Sequence, residues 1–266
     1  MDFALVLLVM LLRQEVAALK LLHIKVPPYT LRGKDATLEC RYDVEADNLY
    51  GVTWYKDNEQ FYKYEDKGNP KKHRTFDVAG VKVNSNLSDS QQVTLEHVNF
   101  NSSGTYKCEV NAEAPSFNSV SDQAEMEVIA PPKKRPAITG EEKVYATGDV
   151  LALNCTSDKS RPAARLEWFV NGEQVRENVP SITLKDDAGL YLTVSSLLLG
   201  LEPGHLTHDK INVRCKATVQ SSLNIDDPFV DTRETQVFVQ GLASLTSPSL
   251  CLLIAALLQQ RFLLPV

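Results

Sequence analysis

The sequence predicts an all-β chain built as two tandem β-sandwiches. Three observations predict it. Cys40 and Cys108 form one widely spaced pair and Cys155 and Cys215 a second of similar span, with Trp54 fourteen positions after Cys40 and Trp168 thirteen after Cys155. Tyr106 stands two positions before Cys108 in the run Ser103–Cys108. Between these landmarks apolar residues alternate in short runs bounded by turn residues, without helical periodicity of useful length.

The logic is a shared core. A disulfide pins two sheets together, an indole packs against its sulfurs, and the tyrosine hydroxyl hydrogen-bonds back to the backbone at the sheet corner. Cysteine, tryptophan and Tyr-x-Cys in this order mark an immunoglobulin-like sandwich. Cys40–Cys108 and Cys155–Cys215 are therefore expected disulfides, and Trp54, Tyr106 and Trp168 expected core.

Residues 19–130 read as a variable-type domain. His23–Val26 is an edge strand that Pro27 and Pro28 break and redirect, since proline is tolerated at edges and not in central strands. Asp35–Tyr42 carries Cys40 and Gly51–Asp57 carries Trp54. Asn58 and Glu59 then turn the chain into Gln60–Tyr64. Val81–Val83, Val93–Val98, Thr105–Asn111 and Ala124–Val128 follow as strands. The long stretch between Trp54 and Cys108 leaves room for the two additional strands of a variable-type domain. Ser102 stands four before Tyr106, where aspartate is common, so the buried salt bridge of that aspartate is not expected.

Residues 131–136 are the boundary, a proline-rich and semi-rigid spacer. Residues 137–240 repeat the pattern as a constant-like domain. Gly148–Cys155 and Leu166–Val170 are strands, and Asn171-Gly172 is a hairpin turn because both positions tolerate positive φ. Leu190–Leu197, Ile211–Ala217 and Gln236–Val239 complete the set. The shorter cysteine span leaves no room for the second additional strand. Val213 occupies the place of the corner tyrosine, so that hydrogen bond is not expected here.

The chain has 266 residues, 23% of them charged, and a net charge of -6. That balance argues against nucleic acid as a partner, which needs clustered lysine and arginine. The one basic cluster, Lys133-Lys134-Arg135, is flanked by prolines and reads as a solvated linker. Two well-spaced cysteine pairs imply an oxidising compartment. Residues 1–18 read as a signal peptide, a short apolar run followed by small residues that suit cleavage after Ala18, although Asp2 and the lack of an early Lys or Arg are atypical. An uncleaved anchor is the less favoured reading. Residues 241–266 combine small residues, a short polar spacer and a modest apolar tail, the pattern of a glycosylphosphatidylinositol signal. The anchor site is then Gly241, Ala243 or Ser244. A plain secreted chain is the second reading and a membrane span the third.

No catalytic constellation is visible, and neither a metal nor a cofactor is expected. His205 and His208 are close enough for a shared metal on a helical turn, but Gly204 precedes them, no free cysteine accompanies them, and the loop reading is preferred. No glycine-rich phosphate loop or Gly-x-Ser-x-Gly elbow occurs.

Three sequons, at Asn86, Asn101 and Asn154, make those asparagines candidate glycan acceptors. None falls on the sheet that carries Trp54 and Cys108. With Trp54 inward, alternation turns Thr53, Tyr55 and Asp57 outward, and with Cys108 inward it turns Lys107, Glu109 and Asn111 outward. Phe61, Tyr62 and Tyr64 add aromatics, of which one or two must pack inward. Phe117 lies at the tip of the last hairpin loop. An aromatic, polar-rimmed face of this kind is the usual material of protein interfaces. The alternative is ordinary core packing for each aromatic and ordinary surface turns for the sequons.

Several runs carry a resemblance. In the first half they are Val26–Tyr29, Trp54–Asp57, Phe61–Tyr64 and Cys108–Phe117. In the second they are Asn154–Ser157, Ser160–Ala164 and Trp168–Glu173. In these the chain resembles the beaten path (Beat) proteins of insect neurons. The resemblance implies a cell-surface or secreted recognition protein of axon guidance and synaptic partner choice. It further implies binding of a sidestep-type immunoglobulin receptor through the first domain. Homophilic adhesion, with the chain as a homo-oligomer, is the rival within that class. A secreted carrier is the rival outside it and would need a pocket, which small sandwiches filled by their own side chains rarely offer.

Overall fold

The computed structural model describes residues 19–67, 72–142, 144–206, 210–223 and 228–242. The expected signal peptide, and Ala243 and Ser244 of the expected tail, lie outside the described residues.

The first half forms β1 (Lys20–Lys25), β2 (Tyr29–Leu31), β3 (Ala36–Asp43), β4 (Leu49–Lys56), β5 (Glu59–Glu65), β6 (Lys72–Thr75), β7 (Val83–Asn84), β8 (Gln92–Leu95), β9 (Gly104–Ala112) and β10 (Ser119–Ile129). They make a sheet ordered β1-β3-β8-β7 and a second ordered β2-β10-β9-β4-β5-β6. Pro27 and Pro28 fall where the chain changes sheets: β1 runs antiparallel to β3, whereas β2 joins β10 in parallel. β6, paired to β5, is an additional edge strand of the variable type. β8 stops at Leu95, and two residues on His97 takes a positive φ of 49°. β10 starts at Ser119, earlier than alternation indicates, because Ser119, Ser121 and Gln123 pair with β9 while exposing polar side chains.

The second half forms β11 (Ala137–Thr139), β12 (Val144–Ala146), β13 (Val150–Thr156), β14 (Arg165–Val170), β15 (Glu173–Val175), β16 (Ser181–Lys185), β17 (Tyr191–Gly200), β18 (Lys210–Gln220) and β19 (Val230–Leu242). Its sheets are ordered β11-β13-β17-β16 and β12-β19-β18-β14-β15. β19 continues past residue 240, and Gly241 is buried there beside Tyr145.

Each core is set by the same device. The β4–β9 register places Trp54 beside Cys108, and the β14–β18 register places Trp168 beside Cys215. Disulfides Cys40–Cys108 and Cys155–Cys215 cross between the sheets, each with a Cα–Cα separation of 6.4 Å. Both indoles are buried, and Trp168 Nε1 donates to Ser195 Oγ at 3.1 Å. The Tyr106 hydroxyl donates to the Ser102 carbonyl at 2.6 Å, which is the sheet-corner bond. Ser102 Oγ donates in turn to the Gly80 carbonyl, so a neutral contact stands where an aspartate salt bridge is common. Burial raises the Tyr106 phenol well above its ordinary value. In the second domain the equivalent Val213 is buried and apolar.

The boundary segment is pinned. Asp158 Oδ2 accepts the backbone N–H groups of Lys133 and Lys134 at 2.8 Å each, while those side chains stay exposed. Ala130 and Arg161 exchange two backbone hydrogen bonds of 2.8 Å. The guanidinium groups of Arg32 and Arg161 both lie over the Phe100 ring, at 4.7 and 4.6 Å from its centroid. Tyr29 meets Phe229 edge-on at 5.5 Å.

Tyr106→Phe removes the corner bond while keeping the ring. A loss of about 1–2 kcal/mol in urea unfolding is expected, and an unchanged midpoint contradicts the role given to that hydroxyl.

Candidate recognition face

The sheet containing β4 and β9 turns one side to the core and the other to solvent. Because Trp54 and Cys108 point inward, their neighbours along each strand point outward. The registers then assemble three outward rows. Ser121, Glu109, Thr53, Lys63 and Arg74 lie side by side across β10, β9, β4, β5 and β6. Gln123, Lys107, Tyr55 and Gln60 form the next row, and Ser119, Asn111, Gly51 and Glu65 the third.

Two tyrosines sit on this surface, each with a lysine over its ring. Lys107 Nζ lies 4.5 Å from the Tyr55 centroid, and Lys63 Nζ lies 5.5 Å from that of Tyr50. Glu65 joins Lys63 at 2.8 Å and Arg74 at 3.0 Å, and Glu109 faces Lys107 at 3.8 Å. Asn111 Nδ2 donates to Glu109 Oε1 at 3.1 Å. Such partly exposed pairs contribute at most about 1 kcal/mol each; their effect is to hold long side chains in place around the rings. Burial, and then the Glu109 carboxylate, raise the Tyr55 phenol above its usual value, so the ring presents a neutral hydroxyl. The Lys63 ammonium, the first of several causes, lowers the Glu65 carboxyl.

Asp57 has a structural task as well as an exposed position. It follows β4 with a φ of 49°, accepts the Thr105 N–H at 2.9 Å, and pairs with the Lys56 ammonium. Burial pushes its carboxyl up, but those two partners outweigh that and leave it below its ordinary value. At the opposite end of the face, Phe117 is 73% exposed with a φ of 50°. Its loop is tied to the sheet by Glu113 N–H to the Asn48 carbonyl at 2.8 Å and Phe117 N–H to the Glu113 carbonyl at 3.1 Å.

Four expected contact residues, three of them aromatic, are buried. Phe61, Tyr62 and Tyr64 are all buried, where alternation allows one or two inward. The cause is a bulge. Tyr55 pairs with Gln60 while Trp54 pairs with Tyr62, so Phe61 is an extra residue with no partner on β4. It turns into the core and meets Tyr106 edge-on at 5.9 Å, while Tyr62 and Tyr64 keep the inward side set by Trp54 and Val52. The Tyr62 hydroxyl donates to the Asp89 carbonyl at 3.1 Å. Thr53 points outward by register yet is buried beneath its neighbours.

A second bulge supplies an aromatic that alternation overlooks. Leu49 pairs with Ala112 and Gly51 with Asn111, which leaves Tyr50 extra and 46% exposed. The sequence does hold a signal, because glycine inside a strand marks a bulge or a close backbone approach. A Cβ on Gly51 would lie 2.5 Å from the Tyr64 carbonyl oxygen.

Asn86 and Asn101 are exposed in 3-10 turns at Ser85–Leu87 and Phe100–Ser102. Asn154 is exposed on β13. Among the described residues no cluster of His, Cys, Asp and Glu could hold a metal ion, and no helix is long and apolar enough to cross a membrane. His205 Nδ1 accepts the Glu202 N–H at 3.0 Å, and His208 lies outside the described residues.

This geometry is that of two immunoglobulin-like domains. The model of the immunoglobulin V-set domain matches residues 27–129, and that of the CD80-like C2-set immunoglobulin domain matches residues 132–222. The chain thus carries two immunoglobulin-superfamily domains, a V-set followed by a C2-set. Its curated relatives include cell adhesion molecules. Cell adhesion molecule 2 of Xenopus tropicalis is 26% identical over 191 residues, covering 72% of this chain and 40% of that protein. Cell adhesion molecule 1 of Mus musculus is 23% identical over 189 residues, covering 70% of this chain and 37% of that protein. The chain therefore spans well under half the length of these relatives. Among solved structures, Rst D1-D2 superposes with a TM-score of 0.54 at 19% identity, covering 85% of this chain and all of that one. Bovine butyrophilin superposes at 0.56 with 17% identity, covering 80% of this chain and 94% of the other. The two superpositions speak for the fold.

Phe61→Ala is expected to cost about 3–5 kcal/mol in chemical unfolding because it empties a packed core position. Tyr55→Ala on the outer surface is expected to cost about 1 kcal/mol or less. Equal losses would contradict the division between core and face.

Proposed function

We propose that the chain is a cell-surface recognition and adhesion protein whose V-set domain docks the face around Tyr50 and Tyr55 on an immunoglobulin domain of another cell. The observation that carries this reading is the pairing of two outward tyrosines with ordered lysines and glutamates on one sheet, with the three sequons elsewhere. Rigid aromatics in a polar frame supply large contact area at low entropic cost. Kinship with cell adhesion molecules supports the general role. The Beat-like runs around Trp54–Asp57 and Cys108–Phe117 support the finer one: guidance of axons and choice of synaptic partners through a sidestep-type receptor. Phe117 extends the contact at the loop end, and the C2-set domain serves as a spacer. No step of this function calls for an active site.

A mixed-sign face also suits a second copy, with Lys63 and Arg74 opposite Glu65 and Glu109 across a two-fold axis. Homophilic binding is the alternative, and concentration-dependent sedimentation of the purified chain would favour it.

Tyr55→Ala combined with Glu109→Arg is expected to abolish receptor binding in surface plasmon resonance and leave the unfolding midpoint within the range of surface substitutions. Normal binding by that variant contradicts the face. For attachment, we propose a lipid anchor in the tail. Phosphatidylinositol-specific phospholipase C should release the chain from cells that display it, and chain that stays on the membrane contradicts the anchor.

A further inference from the structure

The second domain has an apolar outer surface that neither core uses. On the sheet β11-β13-β17-β16, Thr193, Ser195 and Leu197 of β17 are buried, so Leu192, Val194, Ser196 and Leu198 point outward. The registers set Ile182 beside Val194, Leu184 beside Leu192, Ala152 beside Leu198 and Val150 beside Gly200. Ile182 is 60% exposed, Val150 58%, Leu184 54% and Leu198 47%. These aliphatic side chains flank a polar row on the outer face of the sheet, and exposed apolar surface of this extent calls for a cover.

Asn154 lies in the middle of it. It pairs with Ser196 on β17 and with Thr139 on β11, between the row of Ala152 and Leu198 and that of Thr156 and Val194. It is exposed, and Ser196 Oγ donates to its Oδ1 at 2.7 Å, which turns Nδ2 away from Ser196. Asn154, Cys155 and Thr156 form a sequon. The other two acceptors stand on turns; Asn154 alone of the three projects from a sheet, between rows that carry aliphatic side chains.

We propose that this face is built to be covered by an N-linked oligosaccharide on Asn154, whose first sugars lay their C–H faces over Val194, Leu198 and Ile182. In the transfer, a bond forms between Asn154 Nδ2 and C1 of the first N-acetylglucosamine. The bond from C1 to a lipid-linked pyrophosphate donor breaks, the lipid pyrophosphate leaves, and one amide proton is released. The cover removes aliphatic surface from water and hides the open edge of β16, the last strand in its sheet. The C2-set domain is then a shielded spacer. This requires passage through a secretory compartment and no property of the face around Tyr55, so either can fail alone.

The test uses the full chain made in glycosylating animal cells, with Asn86→Gln and Asn101→Gln so that Asn154 is the remaining acceptor. Peptide mass after enzymatic release in heavy-oxygen water reads occupancy, and Asn154 is expected to be modified. Releasing the glycan from the folded protein, or preventing it with Thr156→Ala, should raise 8-anilinonaphthalene-1-sulfonate fluorescence by roughly twofold or more and induce self-association in sedimentation. Adding Ile182→Lys and Leu198→Lys should suppress both effects. An unmodified Asn154, or release without change in dye binding, overturns the proposal. Self-association of the glycosylated form that Ile182→Lys and Leu198→Lys abolish also overturns it and assigns the face to a second copy.

Discussion

The bridge between Cys40 and Cys108, with Trp54 packed beside it, is the constraint on which the V-set domain depends. A crosslink closing a loop of this length contributes about 4 kcal/mol by restricting the unfolded chain. Its geometric effect matters more. It fixes which side of β4 and which side of β9 turn inward, and period-two alternation then decides the fate of every neighbour. Tyr55 and Lys107 are outward because Trp54 and Cys108 cannot be. The second domain uses the same device through Cys155, Cys215 and Trp168.

Two bulges modify that rule, and together they shape the face. One, opposite Trp54 and Tyr55, sends Phe61 into the core against Tyr106. The other, before Gly51, puts Tyr50 out beside Lys63. Core volume gains one aromatic and the surface gains another. Thr53 is covered by its neighbours, and the tyrosines and the lysine–glutamate pairs make up the outer surface around it.

Most of this fold is legible in the sequence because its landmarks are rigid requirements: two cysteine pairs, two indoles, the corner tyrosine and the prolines where the chain changes sheets. Tyr55, Lys107, Glu109 and Asn111 follow from those landmarks by counting. Counting fails where one residue is added to a strand, since a single bulge breaks the alternation at that point, and Phe61 and Tyr50 are both such residues. The early start of β10 is illegible for another reason: Ser119, Ser121 and Gln123 pair through their backbones while their side chains face water and carry no apolar signal. The junction is hidden too. Its contacts join residues far apart in sequence, such as Phe100 with Arg161 and Tyr29 with Phe229.

That junction ties the V-set domain to the C2-set domain through the 130–161 backbone bridge, the arginine–phenylalanine contacts and the Asp158 clasp. The central claim is that docking occurs on the outward side of the sheet containing β4, β5 and β9. Hydrogen–deuterium exchange of the receptor complex tests it most directly. Added protection in residues 49–65 and 104–123, with no change across 181–200, is the predicted result. Protection confined to the β1-β3-β8-β7 sheet or to the second domain would contradict the account.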